Sequence, residues 1–389
     1  MIDKETLYKE NNIEMWNEEK IADFRSLLLN WFEEEGRDLP FRHTKDPYKI
    51  WVSEIMLQQT QVVTVIPYWE RFLDTLPTVK DLAEASEDVY LKLWEGLGYY
   101  SRVKNMHTAA NQIMDEFDGV FPDTRKSLEK LKGIGPYTSG AIASIAFNES
   151  VPAIDGNAMR VYARLFEVDV DIAKAKNRKI FEAIGSDLVD PNYPGEFNQA
   201  IMDLGASYES AKNYHPEESP IRAYNASYLN GTYDYYPVKG KAKKAKPVTY
   251  IATLIQNKKG EWLIQKRPEK GLLANMWTFP LIEAETLTEA SERAFPKSSK
   301  KSPELTANDM DVVEEVLNED YHVQSKIEAE SIGTIVHQFS HLKWTVHAYM
   351  VDGKDLKRLP ENVEWVEIND FDQYTFPTVQ HKLVKLLNN

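Results

Sequence analysis

The sequence contains no cysteine. Disulfides, thiolate metal sites and a cysteine nucleophile are therefore excluded, and the composition suits a reducing compartment, expected to be the cytoplasm. Long apolar runs are missing as well. No stretch approaches the roughly 20 residues that span a bilayer, and no basic-then-apolar signal opens the chain, so no membrane partner is expected. Nor is there an excess of positive charge. Lys and Arg number 46 against 61 Asp and Glu, a net charge of −15, which argues mildly against a nucleic-acid partner. Whole-chain charge says little about the field at one site, however. Acidic runs such as EEEG at 33–36 and DMDVVEEVLNED at 309–320 can lie far from any binding face.

What is present describes a globular protein. The chain has 389 residues, 42% of them hydrophobic and 28% charged, which implies two domains rather than one core. Helical spacing of apolar residues runs through 17–35, 48–76, 79–86, 88–96, 101–117, 125–131, 136–147, 157–166, 178–189 and 194–206, with short Gly, Pro or Asp breaks. No strand pattern precedes about residue 245, so the first part is expected to be all-α. The stretch VKGKAKKAKP, 238–247, carries five lysines and reads as a solvated linker. Beyond it, VTYIATLIQN and EWLIQKR flank a hairpin signal, NKKG. A second strand pair, SIGTIVHQFS and KWTVHAYMV, follows a helical pattern in PELTANDMDVVEEVLNED. The second part is expected to be α+β, with the polar stretch 285–305 an insertion loop.

Three places carry chemistry. LEKLKGIGPYTSGAIASIAF, 128–147, sets Gly133-Ile134-Gly135 between two helical pieces, with Pro136 at a favoured first helical position. Backbone N–H groups of such a turn can hold a phosphate without side-chain charge. The alternative is a plain tight turn between helices. Asp155 precedes Gly156-Asn157 and a new helix, where its default role is a cap. Glu54 sits in an otherwise apolar helical stretch, DPYKIWVSEIMLQQTQVVTVIPYWERF, either on a solvated face or half-buried with a raised pKa.

Taken together, PYKIWVSEIMLQQTQV, GLGYYSR, GIGPYTSGAIASIAF and IDGNAMRV closely resemble, in this order, the adenine DNA glycosylases of the MutY family, within the helix-hairpin-helix glycosylases. The resemblance covers nearly the whole chain from about residue 17. It implies an all-α helix-hairpin-helix glycosylase domain over 1–237, followed by an α+β Nudix-like domain over 248–389 that recognises 8-oxoguanine. The activity it implies is release of adenine mispaired with 8-oxoguanine or guanine, the first step of base excision repair. Breaking an N-glycosidic bond asks for one protonated carboxyl and one carboxylate. By resemblance Glu54 is the acid and Asp155 stabilises or attacks the sugar carbon, while Tyr137 and Asn157 orient them. Related enzymes that also cut the strand carry a lysine where Tyr137 stands, so a monofunctional enzyme is expected. The resemblance also assigns DNA contacts to Arg42 in LPFR, to Gln58, Gln59 and Thr60, to Leu97 and Tyr99, and to Gly133 and Gly135. Phe339, Ser340 and His341 form the loop probing the oxidised base, Ser340 foremost. His337 and His341 at four-residue spacing lack a third metal ligand. The Nudix box keeps Glu319 and Asp320. Glu315, Val316 and His322 break it, which argues for a reader rather than a nucleotide hydrolase. The double-stranded mispaired DNA is the expected partner of a monomer. A monovalent or calcium ion at the hairpin backbone is compatible with the sequence. A decayed, non-catalytic lesion-binding relative is the alternative reading, opposed by the retained Glu54, Tyr137, Asp155 and Asn157. An endonuclease III-type lyase is opposed by Tyr137 and by the C-terminal domain.

The family usually closes its glycosylase domain with Cys-x6-Cys-x2-Cys-x5-Cys around a four-iron, four-sulfur cluster. Here those places hold Glu209, Pro216, Ser219 and Asn225, so no iron–sulfur cluster is expected. The segment 204–236 fits no helix or strand period, and seven tyrosines lie between Tyr208 and Tyr236. The expectation is that Tyr208, Tyr214, Tyr224 and Tyr228 pack where a cluster would have fastened the loop.

Overall fold

A computed structural model of the chain describes residues 3–240, 244–285, 287, 304–355 and 358–388. Most of the polar stretch 285–305 and part of the lysine-rich linker lie outside the described residues. The chain divides into two compact units, Met1–Ala85 with Ser101–Lys241, and Ser86–Tyr100 with Ala242–Asn389.

The regular structure among the first unit's described residues is helical: α1 (Lys4–Glu10), α2 (Glu18–Glu35), α3 (Pro47–Leu57), α4 (Val62–Thr75), α5 (Val79–Glu84), then, beyond α6 (Glu87–Leu93) of the second unit, α7 (Ser101–Glu116), α8 (Arg125–Leu128), α9 (Pro136–Phe147), α10 (Gly156–Leu165), α11 (Arg178–Leu188), α12 (Pro194–Ala206) and α13 (Ala226–Leu229). Two of these helices are apolar nearly all round. α3 buries Tyr48, Ile50, Trp51, Val52, Ser53, Glu54, Ile55 and Met56, and α9 buries every residue from Thr138 to Ile145. Such helices belong in the centre of a domain, and they pack on each other. A carboxylate on α3 is therefore buried by the position of its helix, which excludes the solvated-face reading of Glu54. A second core gathers α2, α10, α11 and α12 around Phe24, Leu28, Val161, Phe181 and Phe197.

The helical pattern over 48–76 is broken in the structure. α3 stops at Leu57 and α4 starts at Val62, with Gln59 in the left-handed region at φ +58°. LQQTQ contains neither Gly nor Pro, so local sequence does not announce the turn. Its stabilisation is tertiary: Arg102 on α7 donates to the carbonyls of Ile55, Met56 and Gln58 at 2.7, 3.2 and 2.6 Å. Those are among the orphan acceptors of a helix C-terminus.

In the second unit β1 (Lys246–Gln256), β2 (Trp262–Lys266), β3 (Trp277–Thr278), β4 (Leu281–Glu283), β5 (Val323–Gln338), β6 (Leu342–Asp355) and β7 (Val363–Val366) form one mixed sheet. Its order is β3-β2-β1-β6-β5, with β4 on β1 and β7 on β2. β1 and β6 pair in parallel from Lys246↔Leu342 to Gln256↔Asp352, and the hairpin β5–β6 is antiparallel. One face is covered by the helix Ala307–Tyr321 through Val313 and Leu317, the other by a core around Trp262, Phe279, Trp344 and Phe376. Burial on both sides explains why β6 is nearly continuous in apolar or buried residues. His322 ends the Ala307–Tyr321 helix at φ +58°, a position that favours glycine.

The sequence reading places 88–96 and GLGYYSR in the helical domain, but Ser86–Tyr100 belongs to the second unit. Its polar side chains find their partners there. Asn275 donates to Glu87 at 2.7 Å, Lys266 pairs with Asp88 at 3.2 Å, Lys92 donates to the Tyr374 carbonyl at 2.9 Å, and His381 lies 2.5 Å from Glu95.

Candidate active site

The first unit contains a cavity of about 630 Å³ whose walls include Glu54, Gln58, Gln59, Thr60, Tyr137, Asp155, Asn157 and Arg42. Four segments that the sequence singled out separately thus line one space. Each carboxylate is held differently. Glu54 on α3 is 7% exposed, and the Tyr137 hydroxyl from the first turn of α9 donates to its Oε2. Burial pushes the Glu54 carboxyl up to about 7, further raised by the charge of Asp155 and opposed by Tyr137 and Arg42. With Oε2 occupied by Tyr137, Oε1 is left for the acidic proton. The same burial and the neighbouring carboxylates hold the Tyr137 phenol well above its usual range, so it stays a donor.

Asp155 is the N-cap of α10. Its Oδ1 accepts the Ala158 N–H at 2.7 Å and its Oδ2 the Asn157 amide at 3.0 Å. The capping role assigned by default is therefore real, and it aims the carboxylate at the cavity. Burial raises this carboxyl above the usual range, while the Ala158 and Asn157 donors act in the opposite direction. Asn157 is itself oriented: its Oδ1 accepts from Arg160 at 2.6 Å, and Arg160 also donates to the Gly205 carbonyl at 2.6 Å. Because a guanidinium can only donate, this contact turns the amide NH2 of Asn157 towards Asp155. The approach of α12 needs Gly205, where a Cβ would lie 2.5 Å from Cβ of Asn157.

The fork of Arg42 is engaged inside the protein. It donates to both carboxylate oxygens of Asp203 at 2.8 and 2.6 Å, and to the Arg37 carbonyl at 2.8 Å. Arg37 binds the same carboxylate, which these two cations hold below the usual carboxylate range although burial works the other way. These donors brace the cavity wall that Arg42 lines. Phe41, in the place where the family usually has Trp, is buried against Trp69. Sequence reasoning missed Arg37, Arg178, Gln199, Met202 and Asp203 around this space. An acidic residue within the apolar helical run NQAIMDLGA was the available signal for Asp203.

Gly133 and Gly135 lie apart from the cavity, in the turn before α9. Gly133 has φ +77°, and a Cβ there would lie 2.7 Å from Asn105, whereas the Cα of Gly135 faces open space. In the second unit Ser340 and His341 are exposed in the β5–β6 turn, closed by a Phe339 N–H to Leu342 carbonyl bond of 2.8 Å. Phe339 packs edge-on between His337 and Trp344, so it props the turn. The Ser340 hydroxyl donates to the Tyr99 hydroxyl at 3.1 Å. Tyr99 is 45% exposed but Leu97 is 7% exposed. Leu97 is thus packed in the structure, while the Tyr99 ring is accessible. Among the described residues, no group of three His, Cys, Asp or Glu side chains is placed to hold a metal, and no helix is long and apolar enough to cross a membrane.

Comparison with known proteins gives the family. Residues 52–186 match the HhH-GPD superfamily base excision DNA repair protein, and 251–386 the NUDIX domain. The adenine DNA glycosylase of Mus musculus is 31% identical over 94% of this chain and 78% of its own length. The chain belongs to the adenine DNA glycosylase family. The human member is 30% identical, with 94% of this chain and 74% of its own length aligned. That of Arabidopsis thaliana is 34% identical over 87% of this chain, which spans 58% of the plant protein. The protein is thus a base excision repair enzyme of the DNA glycosylase class, with a helical helix-hairpin-helix domain and a Nudix-like domain.

The family's cluster places do not fit a cluster here. Glu209, Pro216, Ser219 and Asn225 are all buried, and none supplies a thiolate. Of the tyrosines expected to fill the gap, Tyr224 packs on Trp16 and Phe24, Tyr208 on Trp31 and Tyr214 on Tyr233, whereas Tyr228 is 36% exposed. The centre of the loop is polar. The Glu209 carboxylate accepts from Tyr233 at 2.5 Å and Asn225 at 3.2 Å, and pairs with Arg164 at 3.3 Å.

Proposed function

We propose that this protein hydrolyses the N-glycosidic bond of adenine mispaired with 8-oxoguanine or guanine. It acts as a monomeric, monofunctional enzyme on chromosomal DNA in the cytoplasm, without an iron–sulfur cluster. The observation that carries the reading is the pairing, in one cavity, of a buried carboxyl near neutrality with an oriented carboxylate. The adenine leaves the stack to reach that cavity. Glu54 gives its proton to the base as the bond between sugar and base breaks and its electron pair leaves with adenine. Asp155, held by Ala158 and Asn157, stabilises the positive charge that develops on the sugar. Water then adds to the sugar carbon, and its proton returns to Glu54. No lysine lines the cavity, so no amine is at hand for a Schiff base with the opened sugar, which supports hydrolysis without strand cleavage. The exposed Ser340, hydrogen-bonded to Tyr99, supports contact with the oxidised base.

The test is single-turnover adenine release from a duplex carrying adenine opposite 8-oxoguanine, in metal-free buffer. Release with strand scission only after alkali is the expected result. Tight binding without release favours the non-catalytic reading, and scission without alkali a lyase. The rate is also expected to depend on pH as Glu54 dictates. The protonated form is the active acid and its pKa lies at about 7, so the rate falls as pH rises through 7, approaching tenfold per unit beyond it. A rate that stays level to pH 9 would remove Glu54 from the acid role.

A further inference from the structure

Glu209 is fully buried, and so nearly is Arg164 at 2% exposure. A buried ion pair is costly unless its remaining hydrogen-bonding capacity is filled, and here it is used on both sides. Beyond Tyr233 and Asn225, the backbone carbonyl of Glu209 accepts from Arg160 and from Arg164, each at 2.8 Å. Arg164 also donates to the Tyr236 carbonyl at 3.1 Å and lies over the Tyr233 ring at 4.0 Å. Asn225 is fixed in turn by the Ser227 hydroxyl at 2.9 Å. One carboxylate therefore ties the beginning of the irregular segment, at 209, to its later part, at 225 and 233, and both to α10.

We infer that Glu209 is a positioning residue for Asp155. Resting on the function proposed above, the inference assigns to this carboxylate the fastening of the 204–236 loop that the absent thiolates do not supply. Arg160 and Arg164 stand one turn apart on α10 and share the Glu209 carbonyl. Arg160 spans from that carbonyl to the Asn157 amide, and Asn157 reaches Asp155. When the Glu209 carboxylate is removed, its carbonyl loses its anchorage, Arg160 loses one of its fixed acceptors, and the Asn157 amide is free to turn away from Asp155. Of the loop tyrosines Tyr233 donates to this centre, whereas Tyr208 and Tyr224 pack on other rings and flank it.

The experiment compares wild type with Glu209→Ala, Glu209→Gln, Arg160→Ala and the Glu209→Ala/Arg160→Ala double variant, at a temperature below every melting transition. The readouts are single-turnover adenine release, affinity for the same mispaired duplex, and amide hydrogen exchange. The Ala158 N–H, which donates to Asp155, reports on the carboxylate without reference to activity. The expected result is a release rate lowered at least tenfold in Glu209→Ala with duplex affinity changed less than threefold, and faster exchange at Ala158. Glu209→Gln keeps the shape and an acceptor for Tyr233 but leaves Arg164 without its counter-charge. A rate between wild type and Glu209→Ala, with faster Ala158 exchange, is therefore expected of it. If Glu209→Ala does not fold, wild-type rate and Ala158 exchange in Glu209→Gln overturn the inference. In the Arg160→Ala background the Glu209→Ala change adds little, because both act through one chain of contacts. Wild-type rate and Ala158 exchange in a folded Glu209→Ala overturn the inference. So do fully additive losses in the double variant, or a Glu209→Gln that binds and melts like wild type yet is as slow as Glu209→Ala. A wild-type chain that releases no adenine sinks the functional proposal instead, and Ala158 exchange in Glu209→Ala then decides the positioning role alone.

Discussion

Glu54→Gln is expected to slow single-turnover adenine release by about a thousandfold, within the range that a positioned general acid contributes, while leaving mispaired-duplex affinity within a few fold. The glutamine fills the same buried site on α3 and still accepts the Tyr137 hydroxyl, but has no proton to give the departing base. Asp155→Asn is expected to be equally slow for the opposite reason, because the cap to Ala158 survives and the negative charge does not. The two losses separate by stability. The Glu54 carboxyl is raised from 4.5 to about 7 on burial, so its folded pKa lies above its unfolded value. Stability is then greatest below the unfolded value and is lost as pH rises through 7, by up to about 3 kcal/mol for a shift of this size. Glu54→Gln removes that cost, so the variant is expected to melt higher than wild type at pH 8 and to show no gain at pH 5. Equal melting at both values would mean that the carboxyl is not held near neutrality.

Asp203→Ala carries the second large effect. It strips the partner from two cations, Arg42 and Arg37, of which Arg42 is 14% exposed at the side chain. Removing one member of a buried pair costs about 3–5 kcal/mol, a fall in melting temperature of roughly 10 °C for a domain of this size. The pH sign is the reverse of that for Glu54. Asp203 is held below the usual carboxylate range, so its contribution is present above that range and lost as pH falls through the depressed value. The deficit of Asp203→Ala against wild type therefore shrinks in strong acid. The change also reaches the chemistry. Arg42 already lowers the Glu54 pKa, and once its charge is unpaired it acts more strongly, so the basic limb of the rate profile moves below 7. Calorimetry from pH 3 to 8, with the rate profile beside it, measures both, and an unchanged melting temperature would deny Asp203 its role as the brace.

Much of this was legible in the chain because it rests on local pattern. Helical period, the Pro136 and Asp155 starts and the shift to strand texture after the lysine-rich stretch are set by near neighbours, and they placed the main elements. Glu54 stood out because an ionisable residue in an apolar helical face needs an explanation. What was not legible is long-range. The break at Gln58–Gln61 depends on Arg102, 44 positions beyond Gln58. The anchoring of Arg42 by Asp203, 161 positions further on, is likewise invisible from LPFR. The loop from 204 was read through its tyrosines, since aromatic residues are conspicuous in a sequence, whereas a single Glu among many gives no sign that it is buried. Leu97 and Tyr99 are near neighbours that share a glycine-rich turn, and only the packed structure distinguishes the buried one from the exposed one.

The assignment of Ser86–Tyr100 to the second unit has a consequence for how the enzyme can be taken apart. The backbone passes between the two bodies three times, at residues 85–86, 100–101 and 241–242, rather than once through a tether. A cut in the lysine-rich stretch therefore divides the second body as well, leaving Ser86–Tyr100 on the N-terminal fragment and joined to the rest of that body only by hydrogen bonds and ion pairs. A chain ending near residue 240 would retain α6 and Tyr99 yet lack Lys266, Asn275, Tyr374 and His381, the residues on which that segment rests. Each body is thus completed by sequence from both sides of the other, and the boundary between them is set by contacts rather than by chain order.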